Sequence, residues 1–300
     1  MKSPKNIPAS VHARLLNRAK KDQRPFSELL QYYAMERFLY RLSRSPHADR
    51  FILKGALMLR VWRLPELRPT KDIDMLGKTS DEETDIIQRV ADILGTNVEP
   101  DGLAFDANSI QSERITEEAD YKGIRIHFLC FLGAAKINMQ IDVAFGDVVY
   151  PEPEKLDFPV MMNSSVPRLL CYSIESSIAE KLEAMVKLGI LNSRMKDFYD
   201  IWTLSRRFDF VGTKLAEAIH KTFKHRGTEV PLAIEAFNKD FIERKKAQWS
   251  AFRERLQTDQ VPTSFKEVAA GLDVFITPII AAISSGTPIP KEWTAPGPWI

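Results

Sequence analysis

The chain opens with two stretches whose apolar positions recur at helical spacing. Ser10 is placed to cap a helix running to Asp22, and Ser27 a second running to Ser43, with Leu29, Leu30, Tyr33 and Leu39 near one face. A short segment from Phe51 to Trp62 leads through the Pro-rich loop Leu64 to Thr70 into Asp72-Ile73-Asp74-Met75-Leu76, whose alternation predicts a strand. Ser80 followed by Glu83 predicts a capping box for a helix to Leu94. Between Leu103 and Val149 the period shortens, and two runs, Gly123 to Leu132 and Lys136 to Val143, flank Gly133-Ala134-Ala135 as in a hairpin.

From Pro151 to Pro167 there are four prolines and no periodicity, which marks the main boundary. Beyond it the pattern predicts helices over Ser173 to Leu191, Met195 to Phe208, Lys214 to His225, Asp240 to Leu256 and Phe265 to Ala282. The tail from Ser284 to Ile300, rich in proline, is expected to be extended, either docked or loose. The plan is α+β: N-terminal helices over 1–45, a small mixed sheet flanked by helices over 46–160, and a C-terminal helical bundle with its tail over 168–300.

Composition narrows the class. With 300 residues, 44% of them hydrophobic, and 42 basic against 40 acidic groups, the chain is neither disordered as a whole nor a general DNA-coating protein. The start, MKSPKNIPAS, shows no apolar leader. The longest greasy stretch, Phe275 to Ile283, is interrupted by Thr277 and Pro278 and falls short of the roughly 18 apolar residues of a membrane span, so no membrane association is expected. Cys130 and Cys171 form no CxxC motif and suit a reducing cytoplasm. Basic groups cluster at Lys2, Lys5, Arg14, Arg18, Lys20, Lys21 and Arg24, and again at Lys221, Lys224, Arg226, Arg244, Lys245, Lys246, Arg253 and Arg255. Such runs are more often solvated helix faces, but they leave an RNA partner open.

The candidate chemistry lies in the strands. Alternation puts Asp72 and Asp74 on one face and Ile73 and Met75 on the other. The same reading of Lys136 to Val143 puts Lys136, Asn138, Gln140 and Asp142 outward. If the two strands are neighbours, three carboxylates converge, at an electrostatic cost that a hard divalent cation such as Mg²⁺ or Mn²⁺ would offset. A DxD alone is more often a pair of ordinary surface acids. Lys54-Gly55-Ala56 offers a glycine where backbone can approach phosphate, although a plain turn reads the same way. Lys181 falls on the apolar stripe of Ile174, Ile178, Met185 and Leu188, placed either to snorkel or to meet a triphosphate. Asp197 and Asp200, with Arg194 and Lys196, form either an ion-pair cluster or a group that orders the lysine.

Four segments, taken in order, resemble the AbiEii/AbiGii toxin family of the DNA polymerase β-like nucleotidyltransferase superfamily. They are Phe51 to Leu59 with Arg68 to Asp74, Ile141 to Asp147, Ile178 to Lys181, and Arg194 to Ile201. The resemblance covers about residues 50 to 205. It implies a nucleotidyltransferase-like sheet in which Asp72, Asp74 and Asp142 hold Mg²⁺ or Mn²⁺ and Asp142 supports the attacking hydroxyl. Lys181 would grip phosphate, Asp197 would complete the catalytic set, and Lys54, Gly55, Ala56, Lys181 and Asp200 would line the nucleotide. Many superfamily members carry Gly-Ser or Gly-Gly where this chain has Gly55-Ala56, so a serine hydroxyl contact falls to backbone N–H groups.

The resemblance also implies an NTP substrate and the toxin role in a toxin–antitoxin pair, with a winged-helix antitoxin of the AbiEi type as partner. Related MenT-type enzymes extend tRNA 3′ ends, which makes RNA, and tRNA first, the expected acceptor. Nucleotidylation of a small molecule or a protein hydroxyl, or an inactive fold that only binds, are the alternatives. Neither GxxxxGK[ST] nor GxGxxG occurs, and the five histidines stand in no local catalytic motif.

Overall fold

In the computed structural model, which describes residues 6–64, 68–117, 121–256 and 261–300, the first helix begins at Asn6 rather than Ser10. Asn6 Oδ1 accepts the Ala9 N–H at 3.1 Å, and Pro8 sits in the first turn, where its missing N–H costs nothing. Lys2, Lys5 and the middle of the 64–70 loop lie outside the described residues. Two other expected caps are also displaced. The second helix starts directly behind Pro25, which leaves Ser27 inside it. Ser80 instead accepts the N–H of Glu82, while Glu83 hydrogen-bonds Ser112, so no capping box forms. Ser173 does cap its helix, accepting the Ser176 N–H at 3.1 Å.

The chain forms two compact units: one runs to Gly146 and includes Glu154–Cys171, the other joins Asp147–Pro153 to Tyr172–Ile300. The first contains α1 (Ile7–Lys21), α2 (Phe26–Arg44), β1 (Phe51–Lys54), a 3-10 turn (Gly55–Leu57), α3 (Met58–Val61), β2 (Asp72–Gly77) and α4 (Glu83–Leu94). It continues with β3 (Leu103–Glu117), β4 (Tyr121–Leu132), β5 (Ala135–Phe145), β6 (Glu154–Asp157) and β7 (Arg168–Cys171). Its seven strands form one mixed sheet in the order β3-β4-β5-β2-β1-β7-β6. The α+β expectation holds, with a sheet larger than expected because the long β3-β4-β5 meander extends it. β2 runs parallel to β5 and antiparallel to β1, so a central strand is flanked on both sides.

One face of this sheet is core. Ile73, Met75, Ile126, Phe128, Met139, Ile141 and Val143 are all buried, and α2 and α4 belong to the same core, with Phe38 of α2 against Phe128. α2 is buried along most of its length, charges included. Arg37 and Arg41 bond Asp101 at 3.2 and 2.6 Å, and Glu36 accepts the Met161 N–H at 2.6 Å. Burying ions is tolerable only when they are paired in this way.

The second unit packs α5 (Ile174–Leu188), α6 (Met195–Arg207), β8 (Phe210–Val211), α7 (Gly212–His225), α8 (Lys239–Leu256), α9 (Phe265–Ser285) and β9 (Glu292–Trp293). Phe198, Phe241, Trp249 and Phe265 form its aromatic centre, with ring centroids 5.1 to 6.2 Å apart. The helix expected over Phe265 to Ala282 forms and runs three residues further. α9 continues through Pro278 to Ser285 and is, by length and composition, able to cross a membrane; here Leu272, Phe275, Ile276 and Ile279 are buried in the helical core. The tail is docked within this unit: Trp293 Nε1 donates to Ser205 O, Trp299 Nε1 to Phe275 O, and Trp299 stacks on Phe275.

Candidate active site

The strand registers place five charged residues in one row across the first sheet. Glu113 on β3 faces Arg125 on β4, which faces Asp142 on β5; Asp142 faces Asp74 on β2, which faces Lys54 on β1. Asp72 lies two residues from Asp74 on the same face. Asp72, Asp74 and Asp142 are half-buried, and one carboxylate oxygen of each lies within 4.8 Å of the others. The condition set by the sequence is met because β5 pairs with β2 in the register that puts Asp142 beside Asp74.

Each acid is held from a different direction. Asp72 Oδ1 accepts from Thr70 Oγ1 at 2.5 Å and from the Lys71 N–H at 3.1 Å. The Thr70 segment is itself pinned by α2: the Tyr32 hydroxyl accepts the Thr70 N–H at 3.2 Å, and Gln31 Nε2 donates to the carbonyls of Lys71 and Asn138. Asp142 is gripped by Arg125, with Nε on Oδ1 and Nη2 on Oδ2, both at 2.8 Å, and Gln140 Nε2 lies 3.1 and 3.2 Å from the same two oxygens. These hydrogen bonds push the Arg125 guanidinium above its ordinary pKa.

Asp74 packs on Gly55. At φ +68° the glycine occupies the left-handed region, and a Cβ there would fall 1.9 Å from Asp74 Oδ2. The glycine therefore makes room for an acid of the triad, a role invisible in the Lys54-Gly55-Ala56 string. Ala56 is buried behind it.

In the second unit Lys181 Nζ lies 2.9 Å from Asp197 Oδ1 and 2.8 Å from Asp200 Oδ2, and Arg194 Nε reaches Asp197 Oδ2 at 2.6 Å. Both aspartates are buried. Burial alone would raise the Asp197 pKa, but Lys181 and Arg194 outweigh it and hold the carboxyl below its usual range. Lys196 is exposed. Cys130 and Cys171 are buried, each with its pKa pushed up to about 12 by desolvation, so neither is a nucleophile at neutral pH.

A donor set made only of carboxylates fits a hard divalent cation. Arg125 went unread in the sequence although a signal existed. Leu132 pairs with Ala135 across the tight turn, and counting seven residues back along each strand reaches Arg125 and Asp142.

A mixed sheet with three acids converging on one face can hold divalent cations for phosphoryl transfer. The family described as "Nucleotidyl transferase AbiEii toxin, Type IV TA system" matches residues 37–271, and the chain belongs to it. Two solved structures from Helicobacter pylori resemble it at 14% identity. One is a candidate nucleotidyltransferase, aligned over 86% of this chain and 95% of its own with a TM-score of 0.44. The other is JHP933, aligned over 87% and 94% with a TM-score of 0.45. Among curated proteins no sequence match is found.

Proposed function

We propose that this toxin transfers a nucleoside monophosphate from an NTP to an RNA acceptor, with the tRNA 3′ end as the acceptor and Mg²⁺ or Mn²⁺ as the cofactor. The observation that carries the reading is the convergence of Asp72, Asp74 and Asp142 on one sheet face. In the reaction the acceptor hydroxyl oxygen attacks the α-phosphorus, the bond to the β-phosphate oxygen breaks, pyrophosphate leaves, and the hydroxyl proton is lost. A divalent ion held by the three carboxylates would supply charge neutralisation at the triphosphate and acidify the attacking hydroxyl. The acids are held by the chain itself: Thr70 and the Lys71 amide bond Asp72, and Gly55 leaves room for Asp74. We assign Lys181 to the phosphates, ordered by Asp197 and Asp200, and Lys54, Gly55 and Ala56 to the nucleotide. A winged-helix antitoxin of the AbiEi type and a cytoplasmic setting complete the proposal.

One observation favours a second acceptor class. The basic track that suggested RNA is thinner than its residue count: Lys245 is buried, Arg226 is bonded to Asp147 and Glu183, and Arg244 and Lys246 pair with Asp240 and Glu243. A small molecule or a protein hydroxyl is therefore the alternative. The test is incubation of the purified protein with labelled NTP and Mg²⁺, offered total tRNA, total protein or small metabolites. Label in tRNA, abolished by Asp74→Asn or Asp72→Asn in protein of unchanged melting temperature, is the expected result. Label only in protein or metabolites selects the alternative, and full turnover in Asp74→Asn refutes the metal site.

A further inference from the structure

In the charged row across β3-β4-β5-β2-β1, Asp142 stands between a cation and an anion: Arg125 on the β4 side, Asp74 on the β2 side. Asp74 and Asp72 repel the Asp142 carboxylate, and the guanidinium on its β4 side offsets that repulsion. The contact is a two-pronged fork, Nε to Oδ1 and Nη2 to Oδ2, both at 2.8 Å, which uses one lone pair on each oxygen, while Gln140 Nε2 lies 3.1 and 3.2 Å from the same two oxygens. Glu113, the other acid near Arg125, is farther away at 3.5 Å and mostly exposed, so the fork is committed to Asp142.

We propose that Arg125 is the positioning residue of the third carboxylate: it fixes the plane and distance of Asp142 relative to Asp72 and Asp74, so that the three acids are set before any ligand arrives. This rests on the metal-site reading above and adds a residue that lies outside the recognised motifs. A side chain that locks a metal-binding carboxylate from behind acts on both metal affinity and rate, and its loss typically costs about 10–100-fold in either. Lysine keeps the charge but cannot make the fork, so it separates orientation from electrostatics.

The experiment compares wild type and Arg125→Lys by Mn²⁺ titration of the NTP-free protein, by kcat and KM for labelled NTP, and by thermal melting. Expected for Arg125→Lys are a kcat and a Mn²⁺ affinity each lowered by on the order of tenfold or more, with the KM for NTP within about twofold and the melting temperature nearly unchanged. Should the lysine variant fold poorly, Arg125→Ala with and without added methylguanidinium carries the test, and recovery of turnover with the free cation supports the proposal. Wild-type kcat and Mn²⁺ affinity in Arg125→Lys, or no recovery by methylguanidinium in a folded Arg125→Ala, overturns it. If the wild type itself neither binds Mn²⁺ nor transfers a nucleotide, the metal-site reading is what fails.

Discussion

Replacing Gly55 by alanine perturbs the site without removing a charge. The new Cβ would lie 1.9 Å from Asp74 Oδ2, 2.5 Å from its Cγ and 2.6 Å from its Cβ. Rotation about χ1 can move the first two atoms. The third is fixed to β2, which is paired on one side to β1 and on the other to β5. Asp74 must therefore leave its rotamer and the turn after β1 must lift. A left-handed φ costs an L-residue about 1–2 kcal/mol, and an off-rotamer aspartate about 0.5–1.5 kcal/mol more. A stability loss of roughly 2–3 kcal/mol leaves a folded protein with a misaligned acid. The expected result is a melting temperature lowered by a few degrees in circular dichroism, Mn²⁺ affinity lowered by on the order of 10–100-fold, and nucleotide transfer near background. Gly55→Ala with wild-type Mn²⁺ binding and turnover would refute the reasoning, since Asp74 would then either not rest on residue 55 or not serve the site.

Two further predictions concern buried charge. Lys181→Met strips both buried carboxylates, Asp197 and Asp200, of a cation, so it should cost about 3–5 kcal/mol in urea unfolding rather than leave stability unchanged, as a merely snorkelling lysine would. Because the Asp197 pKa is depressed in the folded state, its stabilising contribution is complete above the ordinary carboxylate value near 4 and is lost as pH falls through the lower folded value; the gap between wild type and variant should narrow in acid. Glu36 behaves oppositely. Burial raises its pKa to about 7, so the folded state binds more protons than the unfolded state from about pH 4.5 upward, and stability falls as pH rises towards 7. Urea titrations of Glu36→Gln should lose that slope, and an unchanged slope would place the titrating group elsewhere.

The sequence alone determined that Asp72 and Asp74 share a face, and that Asp142 points away from Ile141 and Val143, because side-chain alternation belongs to any strand regardless of its neighbours. It also carried the hairpin whose tight turn sets Arg125 opposite Asp142. Four motifs in order were enough to point to the family. Helix starts were less legible: Asn6 and Pro25 displaced Ser10 and Ser27 because a cap depends on where the preceding chain allows the first turn to form. Only the tertiary structure decided that β5 lies parallel to β2, for two strands so far apart in sequence are brought together by the common burial of their apolar faces, not by any local signal. The same holds for Gly55, whose need for a bare Cα comes from the Asp74 side chain on a neighbouring strand. It holds too for Lys181, whose apolar stripe reads like a rim position until the buried aspartates of the next helix turn it into a paired charge.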